Sequence, residues 1–436
     1  LKSRWLRHDM SRRFLCGVGL SLCSLNLFPG FSFLGRPPSR ASQSRVSQSR
    51  ARMTLDPNRL SRIELKDLLV KYEKAVEEDA FNLLRPTQFE RQLLGDELID
   101  ARREAVRQAR DTNRRFVECV IEDLPDFCAA PVGDVLPHRP IAELCCPRDE
   151  LAPPLQANSY GSLASVFLHL LRDWSSECDH VFQSTYGPAI EVLLKHAPKN
   201  CSVLLPGAGL GRLALELSSR GYCVEANDAS RLFLTFADYI LNRSPAGGAS
   251  IYPLAHVFSE NWDHEQQYLQ IKVPTPTPRE VLARCGDGAL PGGDVETSGD
   301  DSMGAQPENG ARPAVSLVPG DFVKMYGTGC SNYRRFDAIV TCFFIDTSFD
   351  VAGLFSVLDG LLGEGGVWVN VGPLNWRKEA RLKLSWSEVV KIWEGMGYEF
   401  VEQHRADCDY HLPRGLKMYT ESYNCALTAA VKRRRS

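Results

Sequence analysis

Apolar residues follow two different periods along this chain. From Ser61 to Leu124 they recur at helical spacing, which predicts helices with one buried face, as in the set Leu65, Leu68, Leu69 and Tyr72. Pro86 lacks a backbone N–H and interrupts this pattern, so at least two helices are expected. We interpret this region as a helical layer that packs on a core formed by the rest of the chain.

The second half of the chain alternates continuous apolar runs with helical patterns. The apolar runs are SVLLP, YCVEAND, VSLVP, RFDAIVTCFFID and GGVWVNVGPL, and segments such as LGRLALELSSRG and VAGLFSVLDGLL lie between them. Strands that are apolar throughout are buried on both faces, which is typical of a parallel sheet covered by helices. The last patterns, SWSEVVKIWEGMG, YEFVEQHRA and YTESYNCALTAAVK, predict a helix followed by an antiparallel pair of strands. The predicted fold class is α/β, with a doubly wound, mostly parallel seven-stranded sheet and an added N-terminal helical region.

Local composition divides the chain further. Residues 1–52 contain ten Lys or Arg and a single acid, and are predicted to be a leader or targeting-like segment. The helical region and a connecting loop extend over 59–158, and the α/β domain extends over 159–436. Residues 274–314 are rich in Pro, Gly and Asp and poor in large apolar groups, so they are expected to form a disordered surface insertion.

Charge and cysteine content argue against several classes of function. The formal net charge of −3 argues against a nucleic-acid partner, because such proteins usually carry a strong basic excess. The apolar run near the start is too short for a membrane span, so no membrane association is expected for the core. The fourteen cysteines form no CxxC pair, and Cys408 with His411 supplies only half of a metal-ligand set. No metal site is therefore predicted.

The cysteine usage also favours a reducing compartment, so the expected location is cytoplasmic. The C-terminal KRRRS is a candidate nuclear address, although a solvated basic tail is the commoner meaning of such a run. Organellar targeting by residues 1–52 stays open. The oligomeric state stays open as well, a homodimer included.

A glycine-rich loop between the first strand and its helix indicates a bound cofactor. Gly207, Gly209 and Gly211 recur at every second position in LLPGAGLGRL, whereas the dinucleotide fingerprint places its last glycine three positions after the second. This spacing suits S-adenosylmethionine better than NAD. An NAD-dependent oxidoreductase is the alternative, and it would also need a residue that guides hydride transfer, which is not evident.

Polar residues follow the ends of three other predicted strands. In an open parallel sheet the ligand lies beyond the carboxyl ends of the strands. Asp228 stands where a carboxylate accepts from ribose hydroxyls, although it is also placed to cap a helix. Asp321 and Phe322 can contact the adenine amino group and ring, the alternative being a simple turn. Asp346 ends an apolar strand where the reactive end of the cofactor is expected, and a carboxylate at such a buried edge needs a partner.

Several of these motifs together resemble the carnosine N-methyltransferase family, whose members are class I methyltransferases that methylate an imidazole nitrogen with S-adenosylmethionine. The motifs are LLPGAGLGRLALEL, YCVEAND, GDF, TCFFIDT, GGVWVNVGPL and SYNCAL, and the resemblance covers most of residues 160–431. It implies a class I methyltransferase sheet and a small imidazole-containing peptide or amino-acid derivative as the substrate.

The resemblance also implies roles for individual residues. Arg172 and Cys342 would contact the cofactor, Gly207 would line its methionine part, and Asp346 and Tyr423 would contact the substrate. A core tyrosine is the other reading of Tyr423. His169 stands where the family has a glutamine and is retained as a candidate cofactor contact.

Arg377 stands where the family has a histidine, and a permanent cation cannot replace an imidazole. Its side chain could point outward, or it could pair with a substrate carboxylate such as that of carnosine. Asp346 would hold one ring N–H of an imidazole, leave the lone pair on the other nitrogen, and stabilise the cation that forms. Two alternatives remain: another nucleophile, such as a protein histidine or an amine, and a cofactor-binding protein without catalysis.

Overall fold

The structure is a computed structural model that describes residues 60–124, 162–284, 314–410, 412 and 415–433. Its helices, in chain order, are α1 (Arg62–Asp79), α2 (Phe81–Leu84), α3 (Gln88–Leu94), α4 (Asp96–Asp123), α5 (Leu163–Trp174), α6 (Asp179–Val181), α7 (Gly187–His196), α8 (Arg212–Ser219), α9 (Arg231–Asn242), α10 (His264–Gln267), α11 (Pro278–Arg284), α12 (Phe322–Tyr326), α13 (Val351–Leu361) and α14 (Trp386–Gly395). A π-helix at Phe182–Tyr186 joins α6 to α7, and 3₁₀ turns lie at Ser176–Cys178 and Ile345–Thr347. The strands are β1 (Ser202–Pro206), β2 (Cys223–Asp228), β3 (Ala249–Ile251), β4 (Ile271–Val273), β5 (Ala314–Pro319), β6 (Phe336–Cys342), β7 (Leu362–Gly372), β8 (Tyr398–Asp409) and β9 (Ser422–Lys432).

Seven strands form one sheet in the order β5-β2-β1-β6-β7-β9-β8. The pairs β2–β5, β1–β2, β1–β6 and β6–β7 are parallel, whereas β9 is antiparallel to both β7 and β8. The carboxyl ends of β1, β2, β5, β6 and β7 therefore meet at one edge. The start of β9 reaches the same edge, because Ala426 pairs with Gly372 at the end of β7. The predicted seven-stranded α/β fold is confirmed.

The sheet is buried on both faces, as its apolar strands predict. Val203 and Leu205 of β1 belong to one core cluster, while Leu204 between them belongs to a second cluster on the opposite face. This alternation follows from the two-residue period of a strand. Trp368 of β7 stacks on Trp393 of α14 with ring centroids 4.0 Å apart, which closes the second face.

The N-terminal helices pack on the α/β domain. The capping box of Ser61 and Glu64 starts α1, because each side chain binds the other residue's backbone N–H. Tyr72 of α1 contacts Phe167 of α5 at 5.1 Å between ring centroids, and Phe116 of α4 contacts Phe236 of α9 at 5.9 Å. Their apolar faces thus belong to the same core cluster as the sheet.

The structure differs from the sequence prediction within the predicted insertion and in the segment before it. Residues 274–284 are not disordered: α11 packs against α8, and its Pro278 and Val281 are buried. A Pro-rich composition hid this helix, although proline is well suited to a first helical turn. A two-stranded antiparallel ribbon, β3–β4, also precedes α11 and was not predicted. Residues 285–313, which carry the rest of the predicted insertion, lie outside the described residues.

Other sequence predictions also fall outside the described ranges. These are the leader-like segment 1–52, the connecting loop at 125–158, His411 and the end of the basic tail. Within the described residues, no helix is long and apolar enough to cross a membrane. The same residues contain no cluster of three or more His, Cys, Asp or Glu side chains placed to hold a metal ion.

Candidate active site

The glycine loop after β1 has a different neighbour at each of two glycines. A Cβ on Gly207 would lie 2.6 Å from Cδ2 of Phe344, so the bare backbone there accommodates an aromatic ring of this chain. A Cβ on Gly209 would meet nothing within 4 Å. Both residues have positive φ, 69° and 57°. The open space beside the loop therefore lies at Gly209, and its use by a cofactor stays a prediction.

Asp228 at the end of β2 holds the glycine loop. Its Oδ2 accepts the Gly209 N–H at 2.9 Å, and its Oδ1 accepts the Ser230 N–H at 2.8 Å. Burial raises the pKa of this carboxyl, and the two N–H groups oppose that rise. Ser230 itself caps α9, because its side chain accepts the Phe233 N–H, so the cap of this helix is the serine and not Asp228. Each oxygen of Asp228 has lone pairs left to accept ribose hydroxyls.

Asp321 and Phe322 follow β5, as predicted, with different surroundings. Asp321 is exposed and caps the short helix α12, accepting the Lys324 N–H at 3.1 Å. Phe322 is buried, with its ring 5.6 Å from Phe344 in an edge contact and 5.0 Å from Tyr326. The adenine contact stays a prediction, and it requires Asp321 to accept from the ligand while it caps the helix.

Arg172 at the end of α5 lies in a buried polar group that sequence patterns did not show. Asp173 accepts from it twice, at 2.7 Å to Nε and 3.0 Å to Nη2, and Tyr186 donates to the same carboxylate at 2.8 Å. Burial opposes the charge of Arg172, but the Asp173 carboxylate more than offsets it and raises the pKa of Arg172. The guanidinium also lies 5.4 Å from the centre of the Tyr410 ring.

The two other candidate cofactor residues near Arg172 differ in position. His169 lies between α5 and α9, with Nδ1 bonded to the Ser165 carbonyl at 2.8 Å and its ring edge-on to Phe233. Cys342 ends β6 and is half-buried, and burial raises the pKa of its thiol while the charge of Arg172 opposes the rise. Their contacts with a cofactor stay predictions.

Asp346 follows β6 in a 3₁₀ turn and is 7% exposed. Its Oδ2 accepts the Asn375 N–H at 2.8 Å, which supplies the partner that its buried position required. Burial raises the pKa of the carboxyl, and the Asn375 N–H and the charge of Arg377 oppose the rise. Arg377 is exposed, and its guanidinium lies 5.1 Å from the centre of the Phe349 ring.

Tyr423 contacts Phe343, which lies three residues before Asp346, although 77 positions separate Tyr423 from Asp346 in the sequence. Burial and Glu421 raise the pKa of the Tyr423 phenol to about 12, the Asp346 carboxylate adds to this rise, and the Asn375 side chain opposes it. The Tyr423 ring contacts Phe343 and Tyr410 at 5.7 and 5.6 Å between centroids, and those two rings stack at 4.8 Å. An acid, a phenol and an aromatic cluster thus meet at the carboxyl edge of the sheet.

Five residues of this edge were not identified from the sequence: Asp173, Tyr186, Phe343, Asn375 and Tyr410. Asp173 follows Arg172 directly, and Tyr410 follows the end of β8, so the position after a strand was an available signal for one of them. Asn375 contributes a backbone N–H, which every residue except proline carries. No side-chain pattern could have indicated that contact.

The sheet order, the glycine loop after β1 and the carboxylate after β2 define the fold of the class I S-adenosylmethionine-dependent methyltransferases. The family profile described as Carnosine N-methyltransferase matches residues 154–434, which is more than half of the chain. The chain belongs to the carnosine N-methyltransferase family, as the resemblance indicated.

Individual proteins agree with this membership. The carnosine N-methyltransferase of Schizosaccharomyces pombe is 28% identical over 57% of this chain and 65% of that protein. The Rattus norvegicus protein of the same name is 28% identical over 64% of this chain and 65% of that protein. The chain thus spans about 65% of the length of these relatives. Among solved structures, magnesium protoporphyrin IX methyltransferase from Synechocystis is 13% identical, with a TM-score of 0.32 over 58% of this chain and 80% of that one.

Proposed function

We propose that this protein methylates an imidazole nitrogen of carnosine or a related small histidine-containing compound, giving a ring-methylated product and S-adenosylhomocysteine. Family membership supports the reaction class. The observation that carries the proposal is that Asp346, which follows β6, and Tyr423, which lies at the start of β9 and contacts Phe343 at the end of β6, converge at the carboxyl edge of the sheet from distant parts of the chain. Bound S-adenosylmethionine would supply a methyl group on a cationic sulfur.

The chain's residues would divide the work of binding and orientation. Asp228 and the open space at Gly209 would hold the cofactor. Asp346 would accept the N–H of a neutral imidazole, because its Oδ2 is already oriented by Asn375. That hydrogen bond leaves the lone pair on the other ring nitrogen and favours the imidazolium that forms. The rings of Phe343, Tyr410 and Tyr423 would exclude water from the reacting nitrogen.

Arg377 is the candidate that separates close substrates. Its guanidinium covers the exposed Phe349 ring, which supports the outward position considered for this residue. In that position it does not repel a developing imidazolium, and a substrate carboxylate would pair with it only after the side chain turns inward. An unchanged KM of carnosine in Arg377→Ala would match the outward position, whereas a raised KM of carnosine with an unchanged KM of histamine would match inward pairing.

The proposal is tested with labelled S-adenosylmethionine and a panel of carnosine, histidine, histamine, a histidine-containing peptide and a simple amine, followed by mass spectrometry. We expect label on the imidazole ring. Asp346→Asn should reduce kcat about 10²–10³-fold, while the affinity for S-adenosylhomocysteine stays within about threefold by calorimetry. Label on the amine and on no imidazole compound would contradict both the substrate class and the role of Asp346. Tight cofactor binding with no labelled product would indicate the alternative without catalysis.

A further inference from the structure

Glu421 lies directly before β9, and nothing in the reaction described above uses it. The Tyr423 hydroxyl donates to its Oε1 at 2.8 Å. Side chains two positions apart in an extended chain face the same side, which explains how the two groups meet. The Tyr410 N–H donates to the Glu421 carbonyl at 3.0 Å, so the backbone that carries this carboxylate is held by the end of β8.

This hydrogen bond determines what the Tyr423 oxygen can do next. A phenol has one proton to donate, and an ionised carboxylate can only accept. The proton of Tyr423 is therefore committed to Glu421, and its oxygen can only accept from other groups. The edge contacts with Phe343 and Tyr410 restrain the Tyr423 ring. The ring therefore cannot rotate and move its hydroxyl away from Glu421.

Asp346, the neighbour of Tyr423, is an acceptor as well. Its Oδ2 receives the Asn375 N–H, and its carboxylate has further lone pairs. The side of the site where β6 and β7 end and β9 begins thus presents two acceptors, from Asp346 and Tyr423. A neutral imidazole has only one N–H, because the nitrogen that is methylated must keep its lone pair.

We propose that Glu421 is a positioning residue that turns Tyr423 into an acceptor and thereby selects substrates with a second N–H group, an amine or amide on the chain attached to the imidazole ring. This inference rests on the proposed function and narrows its substrate class. Of the ring N–H and the chain N–H, Asp346 would accept one hydrogen bond and Tyr423 the other. Compounds with an imidazole ring and no second N–H would lack a donor for the half-buried Tyr423 oxygen, which weakens their binding.

The substrate test compares carnosine and histamine, which carry a second N–H, with imidazole acetate, which lacks it. For the unaltered protein we expect kcat/KM about tenfold or more higher for the first two. Glu421→Ala should reduce this ratio to about one to three, and Glu421→Gln should keep most of it because an amide oxygen still accepts the hydroxyl. Glu399→Ala is the matched control, since this glutamate of β8 is exposed and pairs with Arg433.

A double-mutant cycle separates positioning from a general structural effect. If Glu421 acts through the hydroxyl, Glu421→Ala should have no further effect on the ratio in a Tyr423→Phe background. An equal loss in both backgrounds, or an unchanged ratio in Glu421→Ala, would overturn the inference. The affinity for S-adenosylhomocysteine and the Tm report in each variant whether the fold is intact.

A titration of Tyr423 distinguishes failure of this inference from failure of the proposed function. The charged and titratable groups that face the phenol are Glu421, Asp346 and Tyr410, with Arg172 behind the Tyr410 ring. Glu421→Gln should lower the pKa of the Tyr423 phenol. This pKa is obtained from the difference in tyrosinate absorbance between a protein and the same protein that also carries Tyr423→Phe. An unchanged titration overturns the positioning role. If the phenol pKa shifts as expected and no imidazole compound is methylated, the proposed function and the substrate class are contradicted. Only the hydrogen bond from Tyr423 to Glu421 is then supported.

Discussion

Gly207 and Gly209 show how two residues of one motif can be required for different reasons. The spacing of the glycines indicated that something lies against bare backbone. At Gly207 the neighbour is the ring of Phe344 from the end of β6, whereas Gly209 faces open space and donates its N–H to Asp228. Gly207 therefore serves packing between two strand ends, and Gly209 leaves open the space in which a cofactor is predicted.

Substitution of these two glycines should separate stability from binding. Gly207→Ala forces a Cβ to within 2.6 Å of Phe344 at positive φ, so we expect a loss of about 2–4 kcal/mol in the free energy of unfolding. Gly209→Ala meets only the backbone strain, about 1 kcal/mol, but its Cβ enters the open space and should weaken S-adenosylmethionine binding about tenfold. Urea unfolding and calorimetry measure the two effects. Equal losses in the free energy of unfolding for the two variants would contradict the assignment of Gly207 to packing and of Gly209 to binding.

Asp321 and Asp228 both follow strands, yet their environments diverge. Asp321 is exposed and caps α12, and Asp228 is half-buried and holds the glycine loop. The position after a strand identified both, because the carboxyl ends of parallel strands share an edge. It could not separate a helix cap from a loop anchor, since that difference depends on which backbone N–H groups lie nearby.

Helix α11 is the element that composition misrepresented. Residues 274–284 contain several prolines, as the rest of the predicted insertion does. However, Pro278 starts a helix, and Val281 is buried in the core cluster with α8. The Thr275 N–H also donates to the carbonyl of Trp174 at 2.8 Å, which ties this segment to the end of α5.

Two linker replacements should therefore behave differently. A short Gly and Ser linker in place of residues 285–313 should leave the Tm unchanged, because their composition offers little apolar surface to bury. The same linker in place of residues 274–313 removes α11 and should lower the free energy of unfolding by about 2–4 kcal/mol. Differential scanning calorimetry of both proteins gives the comparison. A large loss of Tm in the shorter replacement would show that 285–313 is structural.

Asn113 joins the N-terminal helices to the α/β domain. It is buried, its Nδ2 donates to the Tyr72 hydroxyl and the Tyr252 carbonyl at 2.9 Å each, and its Oδ1 accepts the Tyr252 N–H at 2.8 Å. All of these bonds are internal to the protein. The helical layer is thus connected to the segment after β3 by polar contacts as well as by its rings.

We expect the helices and the sheet to unfold together as a result. Asn113→Leu leaves the N–H of Tyr252 without its partner and removes one of the two donors to the Tyr252 carbonyl, so it should cost about 2–4 kcal/mol. The loss should appear as one transition at lower denaturant, with far- and near-ultraviolet circular dichroism coinciding. Leu69→Ala, in the same layer, serves as a comparison that removes apolar contact alone. Separate transitions for helices and sheet would contradict this coupling.

The sequence alone was sufficient for the strands of the seven-stranded sheet and the helices between them, for the glycine loop and for the positions of Asp228 and Asp346, but not for α11 or the β3–β4 ribbon. These features follow from periods of two and 3.6 residues and from the rule that ligands lie beyond strand ends, all of which are local in the chain. The antiparallel end of the sheet was equally evident from its two strand patterns.

Only the tertiary structure decided which groups meet. The hydrogen bond from Tyr186 to Asp173, the approach of Phe344 to Gly207, and the contact of Tyr423 with Phe343 join different elements. Burial and hydrogen-bond partners arise from contacts between segments that are distant in sequence, and they set whether a carboxylate caps, pairs or accepts from a substrate. The sequence pattern shows which residues are candidates for the site, but it does not show which side chains lie next to them in space. Packing at the strand ends is determined by the whole sheet.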